Sequence, residues 1–153
     1  MSVEIGKPAP EFVLPTDGGG RLRLKDLRGK KVVLYFYPKD STSGCTAEAC
    51  GFRDSMPELT RAGITVVGVS RDSVDSHDRF KSKYGLPFTL AADLEGKICE
   101  GYGTWIEKSM YGRKYMGLDR ATFLIDEKGM VRAIWRKVKV PGHVEEVLKA
   151  AKG

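Results

Sequence analysis

Val32-Val-Leu-Tyr-Phe-Tyr37, followed by Pro38-Lys-Asp-Ser-Thr42-Ser-Gly-Cys45-Thr-Ala-Glu48-Ala-Cys50, is the stretch on which the reading of the chain turns. Its first six residues are apolar and rich in β-branched and aromatic side chains, as a buried strand requires. Asp40, Ser41, Thr42, Ser43 and Gly44 are turn and helix-starting residues. Beyond them Phe52, Met56 and Leu59 recur at helical spacing. The pattern predicts a strand, a short loop and a helix.

A cysteine at such a junction is chemically privileged. The first helical turn carries N–H groups without intrahelical partners and the positive end of the helix dipole, and both favour a thiolate over a thiol. Because the thiolate is the reactive form, Cys45 is a candidate nucleophile at neutral pH. The competing explanation is inert burial, since cysteine is also a small hydrophobe.

Cys50 sharpens the choice. Five residues along an α-helix rise about 7.5 Å and turn about 140° beyond one revolution, so the two side chains diverge. A disulfide needs Cα atoms within about 7 Å and converging Cβ vectors. A bridge between the two cysteines therefore requires the helix to unwind first. Gly51 costs a helix about 1 kcal/mol relative to Ala, and Pro57 removes a helical hydrogen bond. A helix that opens easily is expected if the cysteines meet transiently and unexplained if they are inert.

These residues carry a family resemblance. Pro38-x-x-x-Thr42-x-x-Cys45 resembles the active-site motif of the peroxiredoxins. Lys39-Asp40, Gly44-Cys45-Thr46, Glu48 and Cys50 resemble the subfamily called bacterioferritin comigratory protein, or peroxiredoxin Q. The similarity runs through nearly the whole chain, including Gly6-Lys-Pro-Ala-Pro-Glu-Phe12, Leu27-Arg-Gly-Lys30 and Arg120-Ala-Thr-Phe-Leu-Ile-Asp126. Ser43 stands where the subfamily usually has proline, a departure that removes no reacting group.

The resemblance implies an enzyme, a thioredoxin-dependent peroxiredoxin of the atypical 2-Cys type that reduces hydrogen peroxide and organic hydroperoxides. Cys45 would be the peroxidatic nucleophile that becomes a sulfenic acid, and Cys50 the resolving cysteine that condenses with it. Thr42 would hydrogen-bond the peroxide, Pro38 would shield the thiolate, Arg120 would stabilise thiolate and transition state, and Glu48 would orient Arg120. The chemistry is consistent, because donors aimed at developing charge are strong catalysts and sulfenic acids condense with thiols. The implied partners are a peroxide and thioredoxin or a similar dithiol reductant, with no cofactor, metal, haem or flavin. With both cysteines in one helix, the resemblance points to a monomer or at most a weak dimer.

Working outward, residues 64–70 form a second apolar run of strand length, which with residues 32–37 and the intervening helix makes a βαβ unit and favours a parallel pairing. Residues 73–84 predict a helix capped by Ser73 and ended at Gly85. Residues 87–90 predict a short strand, and residues 95–102 a helical turn or two. Residues 122–125 and 130–135 predict a β-hairpin, and residues 141–151 an amphipathic helix with Val144, Val147 and Leu148 inward. Phe12-Val-Leu14 and Leu22-Arg-Leu24 predict an N-terminal hairpin. Residues 103–119 lack clear periodicity and are expected to be an irregular loop or two short edge pieces. The resulting expectation is an α/β, thioredoxin-like fold, a central mixed sheet flanked by helices, with the hairpin at its start.

With 153 residues, 41% hydrophobic and 30% charged, the chain is expected to be one domain spanning residues 1–153. No apolar run has the length of a signal peptide or membrane span, and three cysteines do not suggest a disulfide framework, so a cytoplasmic location without membrane association is expected.

Other groups in the chain admit competing roles. His77 and His143 have no metal-ligand spacing and are assigned structural or surface roles, although a Cys45–His143 hydrolase pair is open on spacing alone. Cys99 reads as a buried thiol, with an alternative role in resolution. The net charge of +6 and the acid-free run of Lys128, Arg132, Arg136, Lys137 and Lys139 raise nucleic-acid binding, against which a solvated sheet edge is the simpler account. Trp105, Tyr111 and Tyr115 pack as loop aromatics or form a binding platform. Two whole-protein alternatives stand beside the peroxidase. One is a thioredoxin-like disulfide oxidoreductase, for which Cys-x-x-Cys is lacking, and the other a basic interaction module with structural cysteines.

Overall fold

The apolar run after Lys30 forms strand β3 (Lys31–Phe36), preceded by a short hairpin of β1 (Val13–Pro15) and β2 (Arg21–Arg23). The computed structural model describes residues 3–153. Helix α1 (Ser43–Arg61) follows, then β4 (Ile64–Ser70), α2 (Val74–Tyr84), β5 (Thr89–Ala92) and the short α3 (Lys97–Gly101). A hairpin of β6 (Trp105–Met110) and β7 (Arg113–Leu118) leads to β8 (Ala121–Ile125), β9 (Val131–Trp135) and α4 (His143–Lys152).

Five strands form one mixed sheet in the order β5-β4-β3-β8-β9. β3, β4 and β5 are parallel, whereas β8 runs antiparallel to β3 and β9 antiparallel to β8. The parallel half needs crossovers, which α1 and α2 supply, and the antiparallel half needs only the tight turn at residues 126–130. This is the thioredoxin-like arrangement expected from the order of periodic segments.

β3 is the centre of the sheet and is buried on both sides, which explains its unbroken apolar sequence. Val33 and Tyr35 face α1 and α4 and pack with Phe52, Leu59, Val144 and Val147. Val32, Leu34 and Phe36 face the N-terminal segment and the end of α3, meeting Phe12, Leu14, Leu24 and Tyr102. Phe52 stacks on Tyr35 with ring centroids 4.8 Å apart. Truncating so buried a ring to Ala is expected to cost about 3–5 kcal/mol.

α2 begins and ends where its sequence predicts. The Ser73 hydroxyl accepts from the Ser76 N–H, and Gly85 takes the left-handed conformation (φ 61°) that closes the helix. α1 runs through Pro57 without a break. Gly51 has a second reason to be glycine, because a Cβ there would lie 3.0 Å from Val144 Cγ2, so its absence lets α1 and α4 approach.

Residues 103–119 meet their expectation in part. Of the two expectations, the irregular loop is not met and the two short pieces are nearer: they pair with each other as a regular two-stranded ribbon, separate from the main sheet. Most of the ribbon is exposed or half-buried, so no alternation of apolar side chains was needed to build it. Its turn, Tyr111-Gly112, has both residues at positive φ (53° and 78°), as a tight two-residue hairpin requires. Tyr is an unusual occupant of that position, which hid the signal. The N-terminal hairpin and the strand after Pro87 lie within two residues of their predicted places.

Candidate active site

β3 delivers the chain to the loop of residues 38–42, and Thr42 is the N-cap of α1. Thr42 has extended backbone angles but does not cap with its side chain; its hydroxyl donates to the Lys39 carbonyl at 2.9 Å. The Thr46 N–H donates to the Thr42 carbonyl at 2.8 Å, so the amides of residues 43–45 precede the helical ladder. Cys45 sits in this first turn and is 1% exposed. The positive end of the helix is therefore at its sulfur.

Arg120 reaches the same place from the other half of the chain. The antiparallel register that pairs Phe36 with Ala121 leaves Arg120 beside the loop that follows β3. Its Nη2 donates to Cys45 Sγ at 3.4 Å and its Nη1 to Glu48 Oε1 at 2.7 Å. Glu48 follows Cys45 by three residues and so lies on the same helix face, which lets one planar guanidinium span both groups.

Burial dominates the electrostatics. It pushes the Glu48 carboxyl up to about 7, and the Arg120 charge and hydrogen bond beside it keep it from rising further. Burial works against the Arg120 charge, but Glu48 and Cys45 together more than offset it and raise the guanidinium further. Glu48 Oε2 and the Tyr35 hydroxyl are buried without hydrogen-bond partners. Desolvation first, then the charges of Glu48 and Cys45, hold the Tyr35 hydroxyl protonated.

Residues 5–134 match the AhpC/TSA family. A putative peroxiredoxin Bcp of Coxiella burnetii is 58% identical to the chain, covering 97% of it and 98% of the relative. Peroxiredoxin Bcp of Bacillus subtilis is 48% identical over 99% and 97%. The chain belongs to the AhpC/TSA family. A solved structure of the Xanthomonas campestris bacterioferritin comigratory protein, studied for its alkyl peroxide reduction activity, superposes with a TM-score of 0.91 at 42% identity, covering 97% of this chain and 98% of that one. Within the family the chain is a peroxiredoxin of the Bcp/peroxiredoxin Q type, a thiol-based peroxidase that acts on a peroxide and needs a reductant.

In this AhpC/TSA-family chain Gly44 was legible as a helix-starting residue and part of the Gly44-Cys45-Thr46 motif, with no role attached to its missing side chain. A Cβ there would lie 3.1 Å from Arg120 Nη2, so any larger residue requires the guanidinium to give by a few tenths of an ångström. Asp40 was legible only as part of the Lys39-Asp40 motif, with no role attached. It is buried, accepts from the Tyr37 hydroxyl at 2.6 Å and the Ser76 hydroxyl at 2.8 Å, and lies 2.7 Å from His77 Nδ1. Its own N–H donates to Asp72 at 2.8 Å.

The three cysteines are free. Cys50 is half-buried and shares α1 with Cys45. On an intact helix their Cα atoms stand roughly 8.6 Å apart, beyond disulfide reach. Cys99 packs on the opposite face of the sheet from Cys45, its N–H donating to Asp93 at 2.8 Å. Burial, with the hydrogen bond and charge of Asp93, pushes its thiol up, which makes it unreactive.

His143 does not serve Cys45. Its Nε2 pairs with the Thr122 hydroxyl at 2.8 Å and its ring meets Trp135 edge-on, while burial lowers its proton affinity. Among the described residues no three His, Cys, Asp or Glu side chains cluster as metal ligands would. Part of the basic stretch is used internally. Arg136 lies 5.3 Å over the Phe123 ring and donates to the carbonyls of Tyr102 and Gly103, and Arg132 pairs loosely with Asp126 at 3.7 Å. Trp105 and Tyr115 line a groove of about 490 Å³ bordered by Pro38, with Arg71 over the indole at 4.4 Å. Tyr111 is 98% exposed at the ribbon tip, outside that groove.

Proposed function

We propose that Cys45 is the peroxidatic nucleophile and Cys50 its resolving partner, within one domain of residues 1–153. The observation that carries this is the Arg120 guanidinium at 3.4 Å from Cys45 Sγ at the head of α1. The Cys45 thiolate attacks the distal oxygen of a hydroperoxide and the O–O bond breaks. An S–O bond forms as the O–O bond breaks, so Cys45 becomes a sulfenic acid, and the departing alkoxide or hydroxide takes a proton from solvent. Arg120 and the free amides of the first turn stabilise the charge that moves from sulfur to the leaving oxygen.

Thr42 has its proton committed to Lys39, so it meets the substrate as an acceptor for the peroxide O–H. Pro38, half-buried at the mouth, limits water around the sulfur. Glu48 holds the other end of Arg120 and so fixes its direction. The first turns of α1 then open, and the Cys50 thiol displaces water from the sulfenic acid to give a disulfide. A dithiol reductant of the thioredoxin kind returns both thiols and is itself oxidised to a disulfide.

Hydrogen peroxide and organic hydroperoxides both fit this chemistry, and the alkyl peroxide activity of the Xanthomonas relative supports the second. Because the resolving thiol lies in the same helix, a monomer suffices. No helix among the described residues is long and apolar enough to cross a membrane, and we assign the cytoplasm, where such reductants are held. The test is intact mass and peptide mapping after one equivalent of peroxide and a rapid quench. Loss of two hydrogens with a Cys45–Cys50 link is expected. Unchanged thiols, or Cys45→Ser with full turnover, overturn the assignment.

A further inference from the structure

Asp40, within the catalytic loop, and His77 of α2 form a buried pair that the peroxidase mechanism does not use. The His77 ring faces acceptors on both nitrogens, with the Asp40 carboxylate 2.7 Å from Nδ1 and the Ala91 carbonyl 3.0 Å from Nε2. With an acceptor opposite each nitrogen, the ring is held best when both nitrogens carry a proton, as the imidazolium. The nearby Tyr37 hydroxyl, 3.4 Å from Nδ1, spends its proton on Asp40.

Asp40 in turn is fixed from three elements. It bonds Tyr37 after β3 and Ser76 and His77 of α2, and its N–H reaches Asp72, which the Ser70 hydroxyl at the end of β4 also holds at 2.7 Å. The next residue, Ser41, has φ 64°, a conformation that serine adopts only when its neighbours impose it. Thr42 and the first turn of α1 follow at once, so the direction in which α1 starts is set by where Asp40 is held.

We propose that the Asp40–His77 ion pair is a positioning device, pinning the loop of residues 38–42 so that Cys45 stays seated at Arg120, and that its strength sets how readily the segment unwinds toward Cys50. The proposal rests on Cys45 and Cys50 being the reacting pair. Sulfenic acid formation needs the seated form, whereas condensation of the Cys50 thiol with that sulfenic acid, releasing water, needs the opened one. A weaker pin therefore slows the first step and speeds the second. A general loss of stability would not give opposite signs.

The groups that face His77 are Asp40 from the loop, Asp72 from the β4–α2 turn, Tyr37 after β3, Ser76 on its own helix and the Ala91 carbonyl of β5. Burial alone would lower the imidazole's proton affinity, but the hydrogen bond and charge of Asp40, with Ala91 and Asp72, carry it above the usual value. The pin is therefore strongest below about pH 6.5 and is released as pH rises through the higher folded value.

The test is rapid-quench mass analysis of His77→Gln and Asp40→Asn after peroxide. It reads the added oxygen on Cys45 and the later loss of two hydrogens separately. Sulfenic acid formation is expected to slow on the order of tenfold, with disulfide formation faster than in the unaltered chain. Equal rates in variant and unaltered chain, or both steps slowed by one factor with a fallen Tm, overturn the proposal. Should neither variant fold, the His77 ring nitrogen resonances of the unaltered chain decide. They are expected to move when Cys45 and Cys50 are joined, and resonances that stay fixed on oxidation overturn the pin. Failure of the unaltered chain to form that disulfide overturns instead the pairing on which the proposal rests.

Discussion

One guanidinium, that of Arg120, touches Cys45 and Glu48 at once, Nη2 at 3.4 Å from Sγ and Nη1 at 2.7 Å from Oε1, although it lies 75 and 72 residues from them in the chain. Both partners are on one face of α1, and the fork of the guanidinium matches their separation. Arg120→Met is expected to reduce the rate of sulfenic acid formation about 100- to 1,000-fold, the usual effect of losing a donor aimed at developing charge. Arg120→Lys is expected to recover little, because an ammonium cannot hold both groups in a fixed plane. Single-turnover oxidation by hydrogen peroxide measures both; a lysine variant within twofold of the parent would refute the bridging role.

Glu48 makes the fold pH-dependent in an unusual direction for a carboxyl. Burial raises it from 4.5 to about 7, so the folded chain binds its proton more tightly than the unfolded one. The stability it contributes is fully present below about pH 4.5 and is lost as pH rises through about 7. Urea unfolding across this range is expected to show a decline on the order of 1–3 kcal/mol in the unaltered chain that is missing from Glu48→Gln. Parallel profiles for the two proteins would show that Glu48 titrates normally.

Gly44→Ala separates stability from activity. Alanine favours the helix by up to about 1 kcal/mol, yet its Cβ would stand 3.1 Å from Arg120 Nη2 and push the guanidinium off Cys45. Tm is expected to hold or rise while sulfenic acid formation falls on the order of tenfold. A variant with unchanged rate would show that Arg120 has room to move.

The two remaining cysteines are expected to behave differently. Cys50→Ser leaves Cys45 as a sulfenic acid that persists and blocks turnover with a dithiol reductant. Cys99→Ser, on the opposite side of the sheet, leaves both the mass changes and the turnover as they were. A Cys45–Cys99 link in the first variant would contradict the packing.

The strand, loop and helix around Cys45 were legible because each rests on local rules. A six-residue apolar run, a cluster of turn residues and a 3.6-residue period suffice to write them down. The ribbon of residues 105–118 was not legible, since an exposed two-stranded sheet imposes no alternation and its turn carries Tyr111 where Asn or Gly is usual. Gly51 was read only as a weak point in α1, because nothing local announces Val144 as its neighbour. His77 reads from the sequence as structural or surface. It is buried, and its contact with Asp40 could be known only once α2 had been laid beside residues 37–40.

By itself the sequence determined the βαβ core, the place of Cys45 at a helix start and the helical separation of Cys50, because these follow from residue spacing within one continuous segment. The tertiary structure alone decided that Gly44 lies close beneath Arg120, that Asp40 and His77 are buried partners 2.7 Å apart, and that Cys99 faces away from the site. The first depends on pairing β8 with β3, the second on packing α2 against the sheet, and the third on laying α3 over the face opposite α1. Such contacts join residues tens of positions apart, and their geometry is set by register and burial, which no local pattern encodes.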